Sequence, residues 1–346
     1  MSSPKMLRHL LLILSSMAWL GEVVSSAVAG EVLIADRLQN TVYRYTDDGD
    51  FIGVLIPDDG HLSMPAGLTV SPDRSKIYVA NTLSGSVIEY DYDYGAGTAT
   101  YSKDFATGLA FPNTVRFSPD GNTVYISQLG GGGVARYNPD GTSAGAAVNG
   151  AVGGGAFFQF SGLAFAPSGE LLVGAFSDFP AGANGAVAKS DAAITTLGDF
   201  IPASPDLNGV GNGLFVLGDA LYVPALTAGT LSKFQLTGGG FAPYPGFTMP
   251  TGLAFPADLI PAPDGNGLLV GELGINAGTS DGQITRFSFD GAELGIWALP
   301  VTDPALGFTE PTALVAVPEP SSLMLAGAAL AAFAAAAVRR RRGGSR

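Results

Sequence analysis

The sequence predicts an all-β fold: a six-bladed β-propeller whose first and last strands share one blade, flanked by a signal peptide and a C-terminal transmembrane helix. Three observations predict it. An apolar pattern recurs about every fifty residues between positions 31 and 317. Each recurrence holds several short runs of Val, Ile, Leu, Tyr and Phe separated by Gly, Pro and Asp turns. The strand missing from the first repeat reappears behind the last one.

The repeat begins with a Pro-led or small step, continues as an apolar strand, turns at Pro-Asp-Gly or its equivalent, and returns as a second apolar strand. Pro65–Asp73 leads into Lys76–Asn81, and Pro112–Gly121 into Thr123–Ser127. Phe160–Gly169 leads into Leu171–Gly174, and Gly211–Val216 into Ala220–Val223. Pro250–Phe255 leads into Gly267–Gly271 after an insertion expected around Pro256 to Pro263. The apolar anchors Leu68, Val115, Leu163, Leu214 and Leu253 are spaced by 47, 48, 51 and 39 residues. That period suits a propeller blade and is too long for leucine-rich or tetratricopeptide arrays.

A third strand with alternating polarity follows in each repeat, as in Ser86–Tyr90, Gly133–Tyr137, Thr230–Phe234 and Gly282–Phe287. A weaker fourth follows, such as Ala99–Phe105. At the front, Glu31–Asp36, Thr41–Tyr45 and Phe51–Ile56 read as second, third and fourth strands. Their first strand is expected at Glu310–Val317, which closes the ring and protects its edges. Pro-Asp-Gly is turn chemistry: Pro presets φ, Asp bonds its own backbone, and Gly takes the left-handed position.

Composition narrows the function classes. The chain has no cysteine, which excludes disulfides and thiolate zinc sites. Between 30 and 317, 10 basic residues stand against 28 acids, a net charge of −18 that repels nucleic acid and anionic lipid.

Both ends read as transport devices. Lys5 and Arg8, the apolar run Leu10 to Leu20, and Ala27-Val28-Ala29 form the three parts of a signal peptide over residues 1–29, with cleavage expected before Gly30. An uncleaved anchor is the other reading. At the far end, Val317-Pro318-Glu319-Pro320 precedes an uncharged run, then Arg339-Arg340-Arg341-Arg342. From Ser321 to Val338 that run spans about 27 Å as helix, barely enough to cross a bilayer, with the arginines left on the cytoplasmic side.

This arrangement resembles the PEP-CTERM sorting signal, on the strength of Val317 to Ser321, the apolar run and the arginines. The resemblance implies an exosortase as processing partner and transient anchoring in the inner membrane through the helix. Delivery to the cell surface or extracellular matrix would follow, with exopolysaccharide or surface proteins as partners there. An ordinary tail anchor is the alternative. The domain at 30–317 resembles six-bladed propellers of the NHL and senescence-marker/gluconolactonase type.

The gluconolactonase-like enzymes hold a divalent metal with acids and asparagines at one mouth of the channel. The positions just before each innermost strand are read as Ala66, Asn113, Ser161, Asn212, Thr251 and Thr312. Asn113 and Asn212 match that pattern, and Ca2+ or another divalent cation is the one cofactor the resemblance implies. Two amides and hydroxyls make a poor hard-cation site. Asp36, Gln128 and Glu272, which end second strands, and Glu310 are either channel-mouth residues or solvated strand ends. Only His9 and His61 exist, and His61 lies in a loop, so the histidine on which streptogramin-lyase-like propellers depend is lacking. The sequence therefore favours a non-catalytic binding or structural propeller over a metal-dependent lactonase-like or lyase-like enzyme.

Overall fold

A computed structural model describes residues 30–131, 133–152, 157–177, 184–237, 240–274, 281–300 and 307–317. The signal peptide at 1–29, Pro318-Glu319-Pro320, the apolar run and Arg339 to Arg342 lie outside the described residues. Residues Glu31–Val317 form one compact unit.

The chain lays down its sheets in order. Blade I receives β1 (Glu31–Asp36), β2 (Thr41–Thr46) and β3 (Phe51–Ile56). Blade II is β4 (Pro65–Val70), β5 (Lys76–Asn81), β6 (Ser86–Asp93) and β7 (Thr98–Ala106). Blade III has β8 (Pro112–Phe117), β9 (Val124–Gln128) and β10 (Val134–Tyr137). Its fourth segment is reduced to isolated bridges, Val134 to Val148 and Tyr137 to Ser143. Blade IV comprises β11 (Phe157–Phe165), β12 (Leu171–Ser177), β13 (Gly185–Ser190) and β14 (Leu197–Ser204). Blade V comprises β15 (Phe215–Leu217), β16 (Ala220–Ala225), β17 (Thr230–Thr237) and β18 (Gly240–Pro243). Blade VI comprises β19 (Pro256–Pro261), β20 (Leu268–Glu272), β21 (Gln283–Phe287) and β22 (Glu293–Ala298). Finally β23 (Pro311–Val317) returns to pair antiparallel with β1, Ile34 opposite Leu314, as the innermost strand of blade I.

Six sheets thus close a ring in which the last strand completes the first blade. A closed ring leaves the innermost strands no free edge. Both chain ends of the domain, Glu31 and Val317, are paired neighbours on the face where the innermost strands finish, here the lower face. The upper face is where those strands begin.

Packing explains why the second strands read as unbroken apolar runs. Each sheet is covered on both sides by its neighbours, so both faces of a strand are buried. Val32 and Ile34 pack toward blade VI, while Leu33 and Ala35 pack toward blade II. One hydrophobic cluster fills each of the six inter-blade gaps. Leu68, Val115, Leu163, Leu214, Leu259 and Leu314 each sit in a different one, which identifies them as equivalent anchors.

That equivalence corrects one expectation. The innermost strand of blade VI is Pro256–Pro261, and there is no insertion between 256 and 263. Pro250–Phe255 precedes the strand, and Leu253 only packs at the margin of its cluster. The segment repeats the Pro-x-Gly-Leu lettering without the strand geometry: Phe255 lies at φ 57°, in the left-handed region that ends an extended run. With Leu259 as anchor the last spacings become 45 and 55 residues.

The turns on the lower face share one chemistry. The Ser71 amide donates to Lys76 O at 2.9 Å, and the Ser118 amide to Thr123 O at 2.7 Å. The Ala166 amide donates to Glu170 O at 2.9 Å, and the Ala262 amide to Gly267 O at 2.8 Å. Asp73 Oδ1 accepts from Ser71 Oγ and the Ser75 amide, and Asp120 Oδ1 from Ser118 Oγ and the Asn122 amide. These bonds hold the Asp120 carboxyl down to about 2 and the Asp73 carboxyl below its ordinary value.

Candidate functional site

The upper mouth of the channel is built from the residue two before each anchor. In order these are Ala66, Asn113, Ser161, Asn212, Ala257 and Thr312. Ala257 takes the place expected for Thr251, which is exposed and makes only an isolated bridge with Thr230.

The side chains at this level bind the backbone of other blades. Asn212 Nδ2 donates to Ala66 O at 2.7 Å and to Thr312 O at 3.2 Å, so blade V reaches across to blades II and I. The Asn212 amide donates to Ala257 O at 2.6 Å, and its carbonyl accepts from Thr114 Oγ1 at 3.3 Å. Ser161 Oγ donates to Val210 O at 2.6 Å, and Thr312 Oγ1 to Pro65 O at 2.7 Å. Asn113 is buried, and its Oδ1 faces Thr114 Oγ1 at 3.5 Å. All six blades are joined by these bonds or by the backbone contacts beside them. The arrangement is a hydrogen-bonded plug.

A divalent metal does not fit the plug. The six positions offer two amides, two hydroxyls and two methyl groups, with no carboxylate. The Asn212 amide nitrogen and both hydroxyls are already donating to carbonyls. A hard cation needs several oxygens free to converge on it. Asn113 and Asn212 are placed at the mouth as expected, but as parts of a closed network and not of an open donor set.

The residues ending the second strands form a ring of loop clamps. Asp36 is fully buried; its Oδ2 accepts from the Thr309 amide, Thr309 Oγ1 at 2.8 Å and the Glu310 amide at 3.0 Å. Its Oδ1 accepts from the Leu38 amide at 2.8 Å and the Gln39 amide at 3.1 Å. Gln128 Oε1 accepts from the Ala110 amide at 2.8 Å. Glu272 Oε2 accepts from the Ala254 amide at 2.7 Å, and its Oε1 from Thr285 Oγ1 at 2.5 Å. Asn81 plays the same part in blade II, with Oδ1 taking the Ser63 amide at 3.2 Å and Nδ2 donating to His61 O at 2.7 Å. Each clamp pins the loop that delivers its own blade's innermost strand. Glu310 is likewise buried, against Arg37 Nε at 2.5 Å. None of these side chains is a solvated strand end. His61 itself is exposed and stacks on Tyr101, with ring centroids 3.7 Å apart.

One level below the plug the channel is narrow. Three blades place glycine just before the anchor because a Cβ there would strike the neighbouring blade: Gly67 faces Asn113 O, Gly162 faces Gly211 O, and Gly213 faces Asp258 Oδ1. The space left by Gly213 admits the Asp258 carboxylate, which is 3% exposed. Its Oδ2 accepts from the Leu314 amide at 2.7 Å and its Oδ1 from the Leu259 amide at 2.8 Å. Burial pushes this carboxyl up to about 6, partly offset by the charge of Arg116 and by the two amides. Arg116, on the innermost strand of blade III, donates from Nε to Leu163 O at 3.4 Å.

Below that level a cavity of about 320 Å3 is lined by Arg116 of β8 and by apolar residues of four other innermost strands, including Leu163, Phe165, Phe215, Ile260 and Val315. Asp258 and Arg116 were not singled out in the sequence. The signal that finds Asp258 is the turn proline four residues past four of the six true anchors: Pro72, Pro119, Pro167 and Pro263 follow Leu68, Val115, Leu163 and Leu259.

Comparison with known proteins agrees with this architecture. Residues 19–149 match the SMP-30/Gluconolactonase/LRE-like region, and residues 316–342 match the PEP-CTERM protein-sorting motif. No curated protein matches the chain. Among solved structures, the periplasmic gluconolactonase of Pseudomonas aeruginosa aligns at 16% identity over 84% of this chain and 99% of its own, with a TM-score of 0.57. A putative 6-phosphogluconolactonase from Bacteroides fragilis aligns at 15% identity over 85% and 99%, with a TM-score of 0.56. A chain of a nidogen/laminin complex aligns at 12% identity over 83% and 98%, with a TM-score of 0.59. At these identities the likeness is one of fold, shared by a gluconolactonase and a nidogen/laminin complex alike. The sorting motif implies export and processing by an exosortase. The chain therefore joins a six-bladed propeller, similar to the SMP-30/gluconolactonase region over residues 19–149, to a PEP-CTERM protein-sorting motif.

Proposed function

We propose that the protein is a non-enzymatic propeller, displayed at the cell surface or in the extracellular matrix after exosortase processing, that works as a binding or structural platform. The observation that carries this reading is the plug. Where a gluconolactonase-like enzyme would open its channel to a metal and a substrate, Asn212 bridges Ala66 O and Thr312 O and no carboxylate is present. Hydrolysis needs a positioned base, nucleophile or metal with a group to orient it. The acids nearest the upper mouth, Asp36, Glu272 and Glu310, are committed to loop amides and to Arg37.

The position of the chain ends supports the platform role. Val317, the last described residue of the domain, lies on the lower face, so the upper loops are at the opposite end of the domain from it. Loops held on such a rigid ring are where recognition residues concentrate. The net charge of the domain turns partners toward neutral or cationic surfaces, including exopolysaccharide and other surface proteins.

The test is lactone hydrolysis with added Ca2+, Zn2+ or Mn2+, comparing the wild type with an Asn113→Ala/Asn212→Ala variant. The expected result is no metal-dependent turnover in either. Turnover that needs metal and vanishes in the double variant overturns the reading in favour of a lactonase-like enzyme. Cell fractionation checks the location: removal of residues 318–346 is expected to move the protein into the soluble exported fraction with its melting transition unchanged.

A further inference from the structure

Arg116 and Asp258, on innermost strands of different blades, act on each other by charge without touching. Packing alone does not account for that pair. The guanidinium stands at the wall of a cavity whose other walls are Leu163, Phe165, Phe215, Ile260 and Val315. Its one described hydrogen bond, from Nε to Leu163 O, is long at 3.4 Å. Among the described residues it forms no ion pair. Asp258 does not neutralise it at contact, because both carboxylate oxygens are turned to the amides of Leu259 and Leu314.

The guanidinium is half-buried, so water reaches it from the lower mouth, but the walls around it offer no fixed acceptor beyond Leu163 O. The missing complement is an anion with planar geometry, which a guanidinium binds through two parallel hydrogen bonds. The rest of such a ligand must be apolar to fill the remaining walls. The cavity volume, about 320 Å3, lies at the small end of the range for small-molecule sites, roughly 300–1,000 Å3. The lower mouth is also where the lining residues Arg116, Phe165, Val315 and Ala316 are partly exposed, so a ligand can enter from that side. We infer that the lower channel binds a small monocarboxylate with an aromatic or branched apolar body, its carboxylate on Arg116 and its body among Phe165, Phe215 and Ile260.

Asp258 sets the pH dependence of that site. The elements packed around it present Gly213 from blade V, the Leu314 amide from blade I and the Arg116 charge from blade III. Arg116 is the charged group that faces it. When Asp258 is ionised, its charge opposes a second anion at Arg116. When it is protonated, that opposition disappears. Its carboxyl titrates near 6, so the carboxylate ligand binds more tightly as pH falls through that value.

The experiment is calorimetric titration of the full-length protein with benzoate and with neutral, nearly isosteric benzamide, at pH 5.5 and pH 7.5. Benzoate is expected to bind about tenfold tighter than benzamide at pH 5.5, the discrimination an unpaired guanidinium gives. Its affinity is expected to fall about fivefold or more at pH 7.5, while that of benzamide stays level. Arg116→Leu is expected to bring benzoate down to the benzamide level. Arg116→Lys, which keeps the charge without the planar fork, is expected to weaken benzoate alone. Asp258→Asn is expected to hold benzoate at its tighter affinity at both pH values. Equal binding of the two ligands, or a benzoate preference that survives Arg116→Leu, overturns the site. Benzoate affinity that rises with pH overturns the role of Asp258.

Discussion

The two ends of the channel are made from the same six strands and do opposite things with their polar groups. At the upper end, side chains spend nearly all their hydrogen-bonding capacity on backbone, and the channel is shut. At the lower end, Arg116 faces an apolar cavity beneath the buried Asp258, and the arginine retains donors that backbone does not use. The difference follows from where the loops are. The upper face receives the long connections between blades, whose amides must be satisfied once buried. Among the described residues the lower face carries tight turns, which satisfy themselves through residues such as Asp73 and Asp120. Polar side chains below the plug are thus released from structural duty.

The largest test of this contrast is Asp36→Ala. Asp36 holds five donors, three of them on the loop that leads to the closing strand. Removing it strands buried amides next to the seam of the ring. The expected cost is about 3–5 kcal/mol in chemical unfolding, at the upper end for charge-assisted bonds lost together. A loss below 1 kcal/mol would mean that the upper loops do not depend on their clamps.

Asp258 gives the opposite sign. Its carboxyl is raised from 3.8 to about 6 by burial, so the folded protein favours the protonated form. Its contribution to stability is fully present below about pH 4 and is lost as pH rises through about 6, amounting to roughly 3 kcal/mol. The turn aspartates Asp73, Asp120, Asp140 and Asp191 are shifted down and act below that window, with stability gained as pH rises. Melting curves between pH 4 and 7 should therefore show a decline that Asp258→Asn removes. A variant with an unchanged profile would place the titration elsewhere.

Breaking the plug is a smaller perturbation. Asn212→Ala leaves Ala66 O and Thr312 O without their cross-channel donor. The expected loss is about 1–3 kcal/mol, since two neutral acceptors are left buried. If the plug keeps the upper end shut, the same variant should let benzamide enter from above without raising the benzoate preference that belongs to Arg116.

The contrast also shows what a sequence can disclose. The blade count, the shared blade, four of the six anchors and the closing strand that carries a fifth were legible, because burial on both faces forces apolar runs at a fixed period. The clamps Asp36, Gln128 and Glu272 were legible as positions but not as roles, since a polar residue at a strand end looks the same whether it meets water or a loop amide. Asp258 was hidden by a mimic. Pro250 to Leu253 carries the lettering of an innermost strand, and taking it as one moves Asp258 into a supposed insertion.

The smallest expected effect settles that register most directly. Thr251 is exposed, lies outside β19, and contributes only backbone to its bridge with Thr230. Its side chain has no part in the plug. Thr251→Ala should change stability by less than about 0.5 kcal/mol, as surface substitutions do. Ala257, six residues later, occupies the channel position, is 2% exposed, and has its carbonyl bound to the Asn212 amide. A β-branched side chain there would press on the ring that Gly211 keeps close, for a Cβ on Gly211 already meets Ala257 O. Ala257→Thr should therefore cost about 1–3 kcal/mol, the usual range for overpacking. If Thr251→Ala proved the more damaging of the two, the innermost strand of blade VI would be Pro250 to Phe255 after all, and Asp258 would leave the channel.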